Sequence, residues 1–550
     1  MTYAEWIFSG GAVHTMDPVR PLAEAVAVAG GRIVAVGPDA LDWRGPGTEV
    51  VDLAGRALFP GFQDAHVHPL TAGLQLLSCD LSTTHSLKDY VGLIVDFAHR
   101  HPQHEWITGA GWYGDVFDGG FPNRDLLDEL VADRPVFLMS HDAHSAWVNT
   151  EALRRAGITA ETADPEGGRI VRDGAGRASG MLLESAADLV SSLIPAPADA
   201  HLRSALLCAQ DTLHSFGITS WQDAAVGQAL GTPDPFEHYL ALEADGLLTA
   251  AVTGALWWQI DEGLGQIQSL LDRRTRAAGR FRTTAVKIML DGVCENFTAS
   301  LTRPYRGHPG QRGMSMIPVD ELRRVASVLD EKGFDLHLHA VGDQAVRDAL
   351  TALDLPSRPD WQPRHQIAHL DLIDRLDIER FARLGAIANI QPLWARQDPV
   401  LVETKLPYLD EMHQQLHFAF KTFDRAGIPL AMGSDWPVSS PNPLWGAHTA
   451  VNRTAPRTDP HAADTRSQSA PLLPGEAIAL HTALMAYTRG SARANRQDAE
   501  RGSVGLGRAA DLVVLDTDPY AVEAADLGEI KVDLTLAGGK PVYRREATES

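Results

Sequence analysis

Two histidines near the end of an apolar segment have the spacing of metal ligands on a β-strand. They lie in DAHVHP, residues 64–69. Alternate residues of a strand point to the same face, so His66 and His68 can bind one cation. Neutral imidazole is a common ligand of zinc and similar metals. An isolated His-x-His motif also fits two hydrogen-bonded core histidines, so the other residues of the chain must decide.

Further residues that could take part in a metal site interrupt or follow later apolar segments. Lys287 interrupts AVKIML, and a buried lysine is unfavourable unless it is paired, as in an ion pair, or chemically modified. Asp435 ends IPLAMGSD, where an aspartate could simply cap a turn before Trp436. Four histidines lie on two more segments, about one βα unit apart: His337, His339, His365 and His369. If these residues converge, they form a metal site.

Eight short apolar segments could position these residues as strands. They span residues 57–66, 217–223, 249–258, 284–290, 334–340, 365–370, 385–392 and 428–435. Amphipathic helical patterns follow several of them, as in 319–333 and 374–385. Strands that alternate with helices are typical of a parallel α/β fold, and eight of them favour a (β/α)8 TIM barrel. In such a barrel, active sites form at the carboxyl ends of the strands.

The spacing of the segments also predicts two additions to the barrel. About 150 residues separate the first two segments, too many for one connection, so we expect an inserted subdomain after strand 1 at about 70–212. Residues 25–37, 510–516 and 533–543 carry strand patterns, two of them around Gly-Gly turns. They predict a small β-sandwich domain built from 1–57 and 501–550, with the barrel over 58–500. Two unrelated capping hairpins are the alternative.

Composition excludes several classes of function. The 550 residues include 48 Lys plus Arg and 71 Asp plus Glu, a formal charge of −23, which disfavours nucleic acid or an anionic membrane as the partner. The three cysteines form no CxxC pair, so a disulfide framework or thiolate zinc site is not expected. The amino terminus lacks a basic signal-peptide region and no apolar run reaches about 18 residues. We therefore expect a cytoplasmic protein.

The ordered set of motifs resembles the amidohydrolase superfamily. The resemblance lies in PGFQDAHVHP, the lysine of AVKIMLDG, HLHAVGDQAV, HQIAHL and GSDWPV. Within the inserted segment it extends to GAGW (109–112), DRPVFL (133–138) and HSAWVNTEAL (144–153), whose His144 and Asn149 we interpret as structural. The set is most similar to the amidohydrolase-3 group, which includes N-substituted formamide deformylases.

The resemblance implies a role for each candidate ligand. His66 and His68 would bind the first metal, and Lys287, carboxylated by carbon dioxide, would bridge it to a second. His339, in the family's HAxGD motif, and His369, at its IEH position, would hold the second metal. Here Ala368 stands where the family usually has Glu. Asp435 would bind the first metal and take a proton from the bridging water. His337 and His365 are interpreted as structural or supporting residues.

The implied function is metal-dependent hydrolysis of a non-peptide C–N bond in a linear amide, such as an N-substituted formamide or similar N-acyl amine. Metal-activated hydroxide would attack the carbonyl, and Asp435 would carry the proton to the leaving nitrogen. The expected cofactor is Zn2+, one or two divalent ions per chain. A homodimer is the family's expected assembly. Several tryptophans could line a pocket for an apolar or aromatic substituent: Trp112, Trp257, Trp258, Trp394 and Trp436.

Three alternatives remain at this point. A deaminase of a heterocycle would typically lack the lysine and carry a Glu about three residues after the strand-five histidine, whereas here AVGD follows His339. An esterase or cyclic amide hydrolase could use the same site, because a metal-bound hydroxide attacks these carbonyls too. A non-catalytic regulator on the same fold predicts the loss of ligands, yet every expected position is filled.

Overall fold

The structure is a computed structural model, and it describes residues 3–117, 120–141, 145–165, 168–229, 231–462 and 464–546. His144 lies outside these residues. The chain forms two compact units, one of Met1–Pro69 with Gln210–Ser550 and the other of Leu70–Ala209.

The strands, in chain order, are β1 (Trp6–His14), β2 (Leu22–Ala29), β3 (Arg32–Val36), β4 (Glu49–Asp52), β5 (Ala57–Pro60), β6 (Phe62–Val67), β7 (Cys79–Asp80), β8 (Ile107–Trp112), β9 (Val136–Ser140), β10 (Ser145–Val148), β11 (Gly168–Arg172), β12 (Ala178–Glu184), β13 (Ile218–Val226), β14 (Ala251–Trp257), β15 (Phe281–Met289), β16 (Asp335–Ala340), β17 (Gln366–His369), β18 (Ile387–Ile390), β19 (Leu430–Met432), β20 (Leu512–Leu515), β21 (Val532–Ala537) and β22 (Lys540–Arg544).

The α-helices are α1 (Pro69–Leu76), α2 (Leu87–Arg100), α3 (Arg124–Leu130), α4 (Thr150–Arg155), α5 (Asp188–Ser191), α6 (Asp199–Ser215), α7 (Phe236–Ala244), α8 (Ile267–Arg276), α9 (Val319–Glu331), α10 (Asp343–Ala352), α11 (Ile378–Leu384), α12 (Glu411–Gln415), α13 (Phe420–Arg425), α14 (Pro443–Asn452), α15 (Thr465–Ser469), α16 (Leu480–Met485) and α17 (Ser491–Ala494). None of these helices has both the length and the apolar character needed to cross a lipid bilayer.

Eight strands of the first unit form one parallel sheet, in the order β19-β18-β17-β16-β15-β14-β13-β6. The sheet nearly closes, because the N–H of Asp435, just after β19, donates to the carbonyl of His66 in β6 over 2.7 Å. Helices α7 to α11 and α13 connect successive strands. The eight predicted parallel strands of a mixed α/β fold are therefore confirmed, and their carboxyl ends share one edge of the barrel.

The first predicted strand, over 57–66, is divided between two sheets. Ala57–Pro60 forms β5, which pairs with β1 and β20, whereas Phe62–Val67 forms β6 of the parallel sheet. Gly61 separates the two strands, and an added Cβ there would meet Thr219 Oγ1 at 2.3 Å. The division arises from pairing with distant strands, which a local apolar pattern does not reveal.

Helix α9 shows how the outer layer packs. Its buried apolar residues, Leu322, Val325, Ala326 and Leu329, recur at the three- and four-residue spacing that places them on one face. Strands β16, β17 and β18, by contrast, are buried at every residue, as expected for parallel strands covered on both faces. Polar residues on these strands are therefore exceptions that need a structural or chemical reason.

Strands from both ends of the chain share a second sheet of the first unit. Its order is β22-β21-β20-β5-β1-β2-β3, with β4 paired to β1. Two-residue Gly-Gly loops connect β2 to β3 and β21 to β22, and all four glycines have positive φ (Gly30 58°, Gly31 74°, Gly538 56°, Gly539 76°). This conformation suits glycine and the tight hairpin turn.

The second unit contains a six-stranded sheet in the order β11-β12-β10-β9-β8-β7. One of its cores includes Tyr90, Leu138 and Trp147. Trp112 belongs to this core, where its Nε1–H donates to the carbonyl of Leu138. Trp112 thus packs in the core of this unit and does not form the wall of a substrate pocket that the sequence suggested for it.

Asn149 joins three segments of the second unit. Its side-chain oxygen accepts from the N–H groups of Val136 and Ala152, both at 3.0 Å. Its amide nitrogen donates to the carbonyls of Val131 and Arg134. All of these partners are backbone groups, and Asn149 is fully buried, so its side chain caps α4 and fixes the adjoining loop.

Candidate metal centre

The parallel register brings the candidate ligands to one end of the barrel. Lys287 pairs with His337 across β15 and β16, and Met289 pairs with His339. His369 is the last residue of β17, and Asp435 follows β19. Because parallel strands end at the same edge, side chains from β6, β15, β16 and β17 meet there with Asp435.

Three of these residues form the tightest group. His66, His369 and Asp435 each offer one ligand atom, and these atoms lie within 4.8 Å of one another. His66 Nε2 is 3.4 Å from Asp435 Oδ1, and His369 Nδ1 is 4.0 Å from Asp435 Oδ2. His68 adjoins the group, with its Nε2 2.9 Å from Asp435 Oδ1. Two imidazoles and one carboxylate at these distances form a set of zinc ligand types.

His369 provides a test of whether a cation fits. Both of its ring nitrogens are buried without a hydrogen-bond partner among the described residues. Burial lowers the pKa of His369 and of His66 well below the usual range, and neighbouring histidines and Lys287 lower both further. A neutral imidazole with an unpaired lone pair costs free energy inside a protein unless something binds it. A divalent cation beside Asp435 would bind this lone pair, and it requires the neutral form of the ring that burial favours.

The backbone at this edge is held in an uncommon conformation. His369 has φ 76°, Leu370 φ 55° and Asp435 φ 57°, all in the left-handed region that residues other than glycine rarely adopt. Such strain persists where the surrounding structure fixes it, and it concentrates at functional sites.

Asp64 ties the Asp435 loop to β6. Its carboxylate accepts from the N–H of His66 at 2.9 Å and from the N–H of Ser434 at 3.1 Å. Burial raises the pKa of Asp64 to about 7. A Cβ on Gly433 would lie 2.5 Å from the backbone nitrogen of His66, so only glycine permits this close approach. Sequence reasoning did not single out Asp64, although a carboxylate inside an apolar strand was the available signal.

Lys287 lies against the group without a carboxylate partner. It is 2% exposed, and its Nζ is 3.4 Å from His66 Nε2. No carboxylate oxygen of the described residues forms an ion pair with it within 4.0 Å. Burial lowers its pKa to about 7, although the charge of Asp435 acts in the opposite direction. The buried ion pair considered for this lysine is therefore absent from the described part of the chain.

His339 lies at the edge of the group rather than within it. Its ring centroid is 4.3 Å from that of His369, but its Nε2 faces the carbonyl of Gly292 at 3.4 Å and Asp291 Oδ1 at 3.8 Å. In register it pairs with Ala368. The position where the family usually has Glu thus carries a buried methyl group beside this histidine.

Asp291, which follows β15, holds the neighbouring loops together. Its carboxylate accepts backbone N–H groups from Ser300, Val341 and Gly342 at 2.8–3.0 Å. Burial raises its pKa to about 7. It lies within AVKIMLDG but was not recognised as important, since nothing local distinguishes it from a turn aspartate.

The remaining two histidines have different surroundings. His337 contacts the Nδ1 side of the His66 ring, with its Nε2 3.0 Å from His66 Nδ1. His365 lies just before β17, at its amino end. Its Nδ1 accepts the N–H of Leu336 at 3.0 Å, and its Nε2 is 3.3 Å from Asp330 Oδ1. His365 is thus a structural residue, and His337 supports a candidate ligand.

Trp394 is the tryptophan whose ring stacks on a candidate ligand. Its plane is 3° from that of His369, with centroids 5.5 Å apart, and it remains partly exposed. Trp258 and Trp436 are buried. The group of His66, His369 and Asp435 (the triad) thus has a partly exposed indole beside it, which fits a wall of a binding pocket.

A second buried lysine, Lys405, lies near Trp394 and has carboxylate partners. Lys405 Nζ is 3.2 Å from Asp371 Oδ2 and 3.4 Å from Glu295 Oε2, and it is 5.9 Å from the Trp394 ring. The two carboxylates raise the pKa of Lys405 despite its burial. This ion-paired group joins the loops that follow β15, β17 and β18.

Comparison with known proteins agrees with this geometry. The model of the amidohydrolase family matches residues 49–543. The chain belongs to the amidohydrolase family. It is therefore an enzyme, a hydrolase acting on carbon–nitrogen bonds, and the family is metal-dependent.

Two curated relatives span nearly the whole amidohydrolase chain. The Bacillus subtilis protein YtcJ, named as an amidohydrolase, is 30% identical over 98% of this chain and 99% of its own. The N-substituted formamide deformylase of Arthrobacter pascens is 28% identical over 97% of each chain. An uncharacterized metal-dependent hydrolase from Pyrococcus horikoshii has the same fold, with a TM-score of 0.70 and 24% identity over 94% of this chain and 99% of that one.

Proposed function

We propose that this amidohydrolase cleaves the C–N bond of a linear amide, an N-substituted formamide or a similar N-acyl amine. The observation that carries the proposal is the buried group of His66, His369 and Asp435, in which neither His369 nitrogen has a hydrogen-bond partner among the described residues. The Arthrobacter relative supports the formamide class. Trp394 beside His369 supports a substrate with an apolar or aromatic substituent.

The proposed cofactor is Zn2+, held by His66, His369 and Asp435 with His68 adjoining. When bound, such an ion polarises a carbonyl and lowers the pKa of water. Asp435 accepts a proton from the attacking water and gives it to the leaving nitrogen. His68 and His66 face Asp435 Oδ1 at 2.9 and 3.4 Å, so Oδ2 is the oxygen that holds this proton. Water adds to the carbonyl carbon, the C–N bond breaks, and an acid and an amine result.

Lys287 is proposed to be carboxylated. Its neutral amine would add to the carbon of carbon dioxide and release one proton, forming a carbamate. The support is geometric, because the buried Nζ lies 3.4 Å from His66 Nε2 and no carboxylate of the described residues is in ion-pair range. The carbamate and His339 would be ligands of a second ion; in this arrangement His369, which the resemblance gives to the second ion, holds the first. His339 lies with its ring against His369, which is compatible with this role.

The domain division is also a proposal. The hydrolase barrel spans 58–500 with an insertion at about 70–212, and 1–57 with 501–550 form a small β domain. The compact unit Leu70–Ala209 and the sheet shared by β1–β5 and β20–β22 support this division.

Metal content per chain, measured by inductively coupled plasma mass spectrometry on protein purified without chelator, tests the function. We expect at least one zinc-like ion, and two after reconstitution with zinc and bicarbonate. His369→Ala should lose the metal, whereas His365→Ala, a change at the other end of β17, should retain it. Absence of metal even after reconstitution would contradict the proposal. Turnover of an aminated heterocycle instead of a linear amide would favour deamination.

A further inference from the structure

A line of buried hydrogen bonds lies behind His66, on the side away from Asp435. Gln222 Oε1 on β13 is 2.5 Å from His337 Nδ1, and His337 Nε2 is 3.0 Å from His66 Nδ1. All three side chains are essentially inaccessible to solvent. Because bulk solvent does not reach these side chains, each contact decides which ring nitrogen carries a proton.

The amide oxygen sets the direction of these bonds. An amide oxygen only accepts, so His337 Nδ1 carries the hydrogen and His337 Nε2 presents its lone pair. His66 Nδ1 must then donate to it. A neutral imidazole carries a single N–H, so His66 Nε2 is left with a lone pair. This nitrogen is the one that faces Asp435 Oδ1 and Lys287 Nζ, each at 3.4 Å.

The opposite orientation of the amide would reverse every bond. An amide nitrogen facing His337 would donate to Nδ1, His337 Nε2 would donate to His66, and His66 Nε2 would carry the hydrogen. A protonated Nε2 cannot bind a metal. The structure places Oε1, not Nε2, against His337 Nδ1, and Gln222 Nε2 has no hydrogen-bond partner in the described part of the chain.

We propose that Gln222 and His337 are positioning residues that fix His66 as its Nδ1–H tautomer and so direct its Nε2 at the divalent cation. The inference rests on the proposed metal function. It adds two residues that touch neither metal nor substrate, one of them on a strand that carries no candidate ligand. Outer partners of this kind orient ligand histidines, and their loss typically lowers metal affinity about 10–100-fold.

The test compares zinc affinity among variants of the whole chain. Metal is first removed with a chelator, and Zn2+ is then titrated in competition with a chromophoric chelator. Gln222→Leu removes the acceptor and should weaken zinc binding about 10–100-fold. Gln222→Glu keeps an acceptor oxygen and should restore affinity to near the wild-type value. The absorption spectrum of the Co2+-loaded protein should shift in Gln222→Leu and be restored in Gln222→Glu, a readout that packing alone would not move.

Gln63→Leu is the matched control. Gln63 is a buried glutamine of β6 whose amide atoms have no hydrogen-bond partner among the described residues, so its loss removes no acceptor from a histidine. Its replacement should leave zinc affinity unchanged. Equal affinity in wild type and Gln222→Leu would overturn the inference, and so would an equal loss in Gln63→Leu. Should Gln222→Leu fail to fold, Gln222→Met replaces it. A wild-type protein that binds no zinc at all would instead refute the proposed function, and the inference with it.

Discussion

Two buried lysines near the same end of the barrel have opposite surroundings. Lys405 has two carboxylate oxygens within 3.4 Å, and they raise its pKa. Lys287 is buried more deeply, contacts His66, and has its pKa lowered to about 7. Burial alone therefore does not mark a functional lysine. What distinguishes Lys287 is that no carboxylate of the described residues is in ion-pair range, as the proposed carboxylation requires.

The two sites also differ in how the central side chain is paired. Lys405 forms ion pairs with Asp371 and Glu295, which lie on two other loops. In the triad, neither nitrogen of His369 has a hydrogen-bond partner among the described residues. Breaking a buried ion pair costs stability, whereas an unpartnered imidazole beside a carboxylate is suited to bind a metal ion. The comparison thus predicts that substitutions in the triad change activity, and that substitutions around Lys405 change stability.

The largest expected effect is that of Asp435→Asn. The amide keeps the shape of the side chain but cannot hold the proton, so kcat should fall about 10²- to 10⁴-fold. The measurement is steady-state hydrolysis of an amide that the wild type cleaves, with folding checked by circular dichroism. Asp498→Asn is the matched control, because Asp498 pairs with Arg364 ahead of β17, away from the triad. Undiminished hydrolysis by Asp435→Asn would remove Asp435 from the proposed role.

Lys405→Met and Lys287→Met compare the two lysines directly. Loss of the Lys405 ammonium leaves Asp371 buried and uncompensated, so the free energy of unfolding should fall by about 3–5 kcal/mol. Lys287→Met leaves no such carboxylate and replaces a buried amine by an apolar chain of similar size, so the loss should stay below about 1.5 kcal/mol. Urea denaturation at neutral pH measures both values.

Metal content separates the same two variants in the other direction. Lys287→Met should no longer gain a second ion when zinc and bicarbonate are added, whereas Lys405→Met, if it remains folded, should still gain one. Similar losses of stability in both variants would show that the acidic partners do not set the difference between these lysines.

The fold was predictable where the signal was local. Eight apolar segments predicted the eight strands of the parallel sheet, because a buried parallel strand is apolar along its length. The first segment was wrong in extent, since Ala57–Pro60 pairs with β1 and β20. Pairing with a strand hundreds of residues away, as β20 is, leaves no trace in a short segment.

The candidate site was predictable from residue types, but not its internal arrangement. The motifs group His369 with His339, whereas the tightest group in the structure joins His369 with His66 and Asp435. Gln222 and Asp64 were missed because each is one polar residue in an otherwise apolar strand. Their importance lies in tertiary partners, His337 for Gln222 and the Ser434 N–H for Asp64.

The smallest expected effect extends the comparison to histidines. His413 lies between Asp343 Oδ2 at 3.2 Å and Asp410 Oδ1 at 3.1 Å. These carboxylates raise the pKa of His413 despite its burial and the opposing charge of Arg303, whereas His369, without such a pair, has its pKa lowered. A raised folded-state pKa stabilises the protein fully below the unfolded value near 6.5. That stabilisation is lost as the pH rises through the folded-state pKa.

His413→Leu should therefore lower the free energy of unfolding by about 1.5 kcal/mol at pH 5.5, and by progressively less as the pH rises to 9. Asp343, whose pKa is lowered mainly by its bond to His413 against the effect of burial, stays ionised over this range, so the change reports the histidine. Urea denaturation at three pH values measures it. Gln414→Leu, on the same short helix, removes hydrogen bonds to Leu406 and Leu409 and should give a loss independent of pH. A loss from His413→Leu that is equally flat with pH would mean that the carboxylates do not keep this histidine charged.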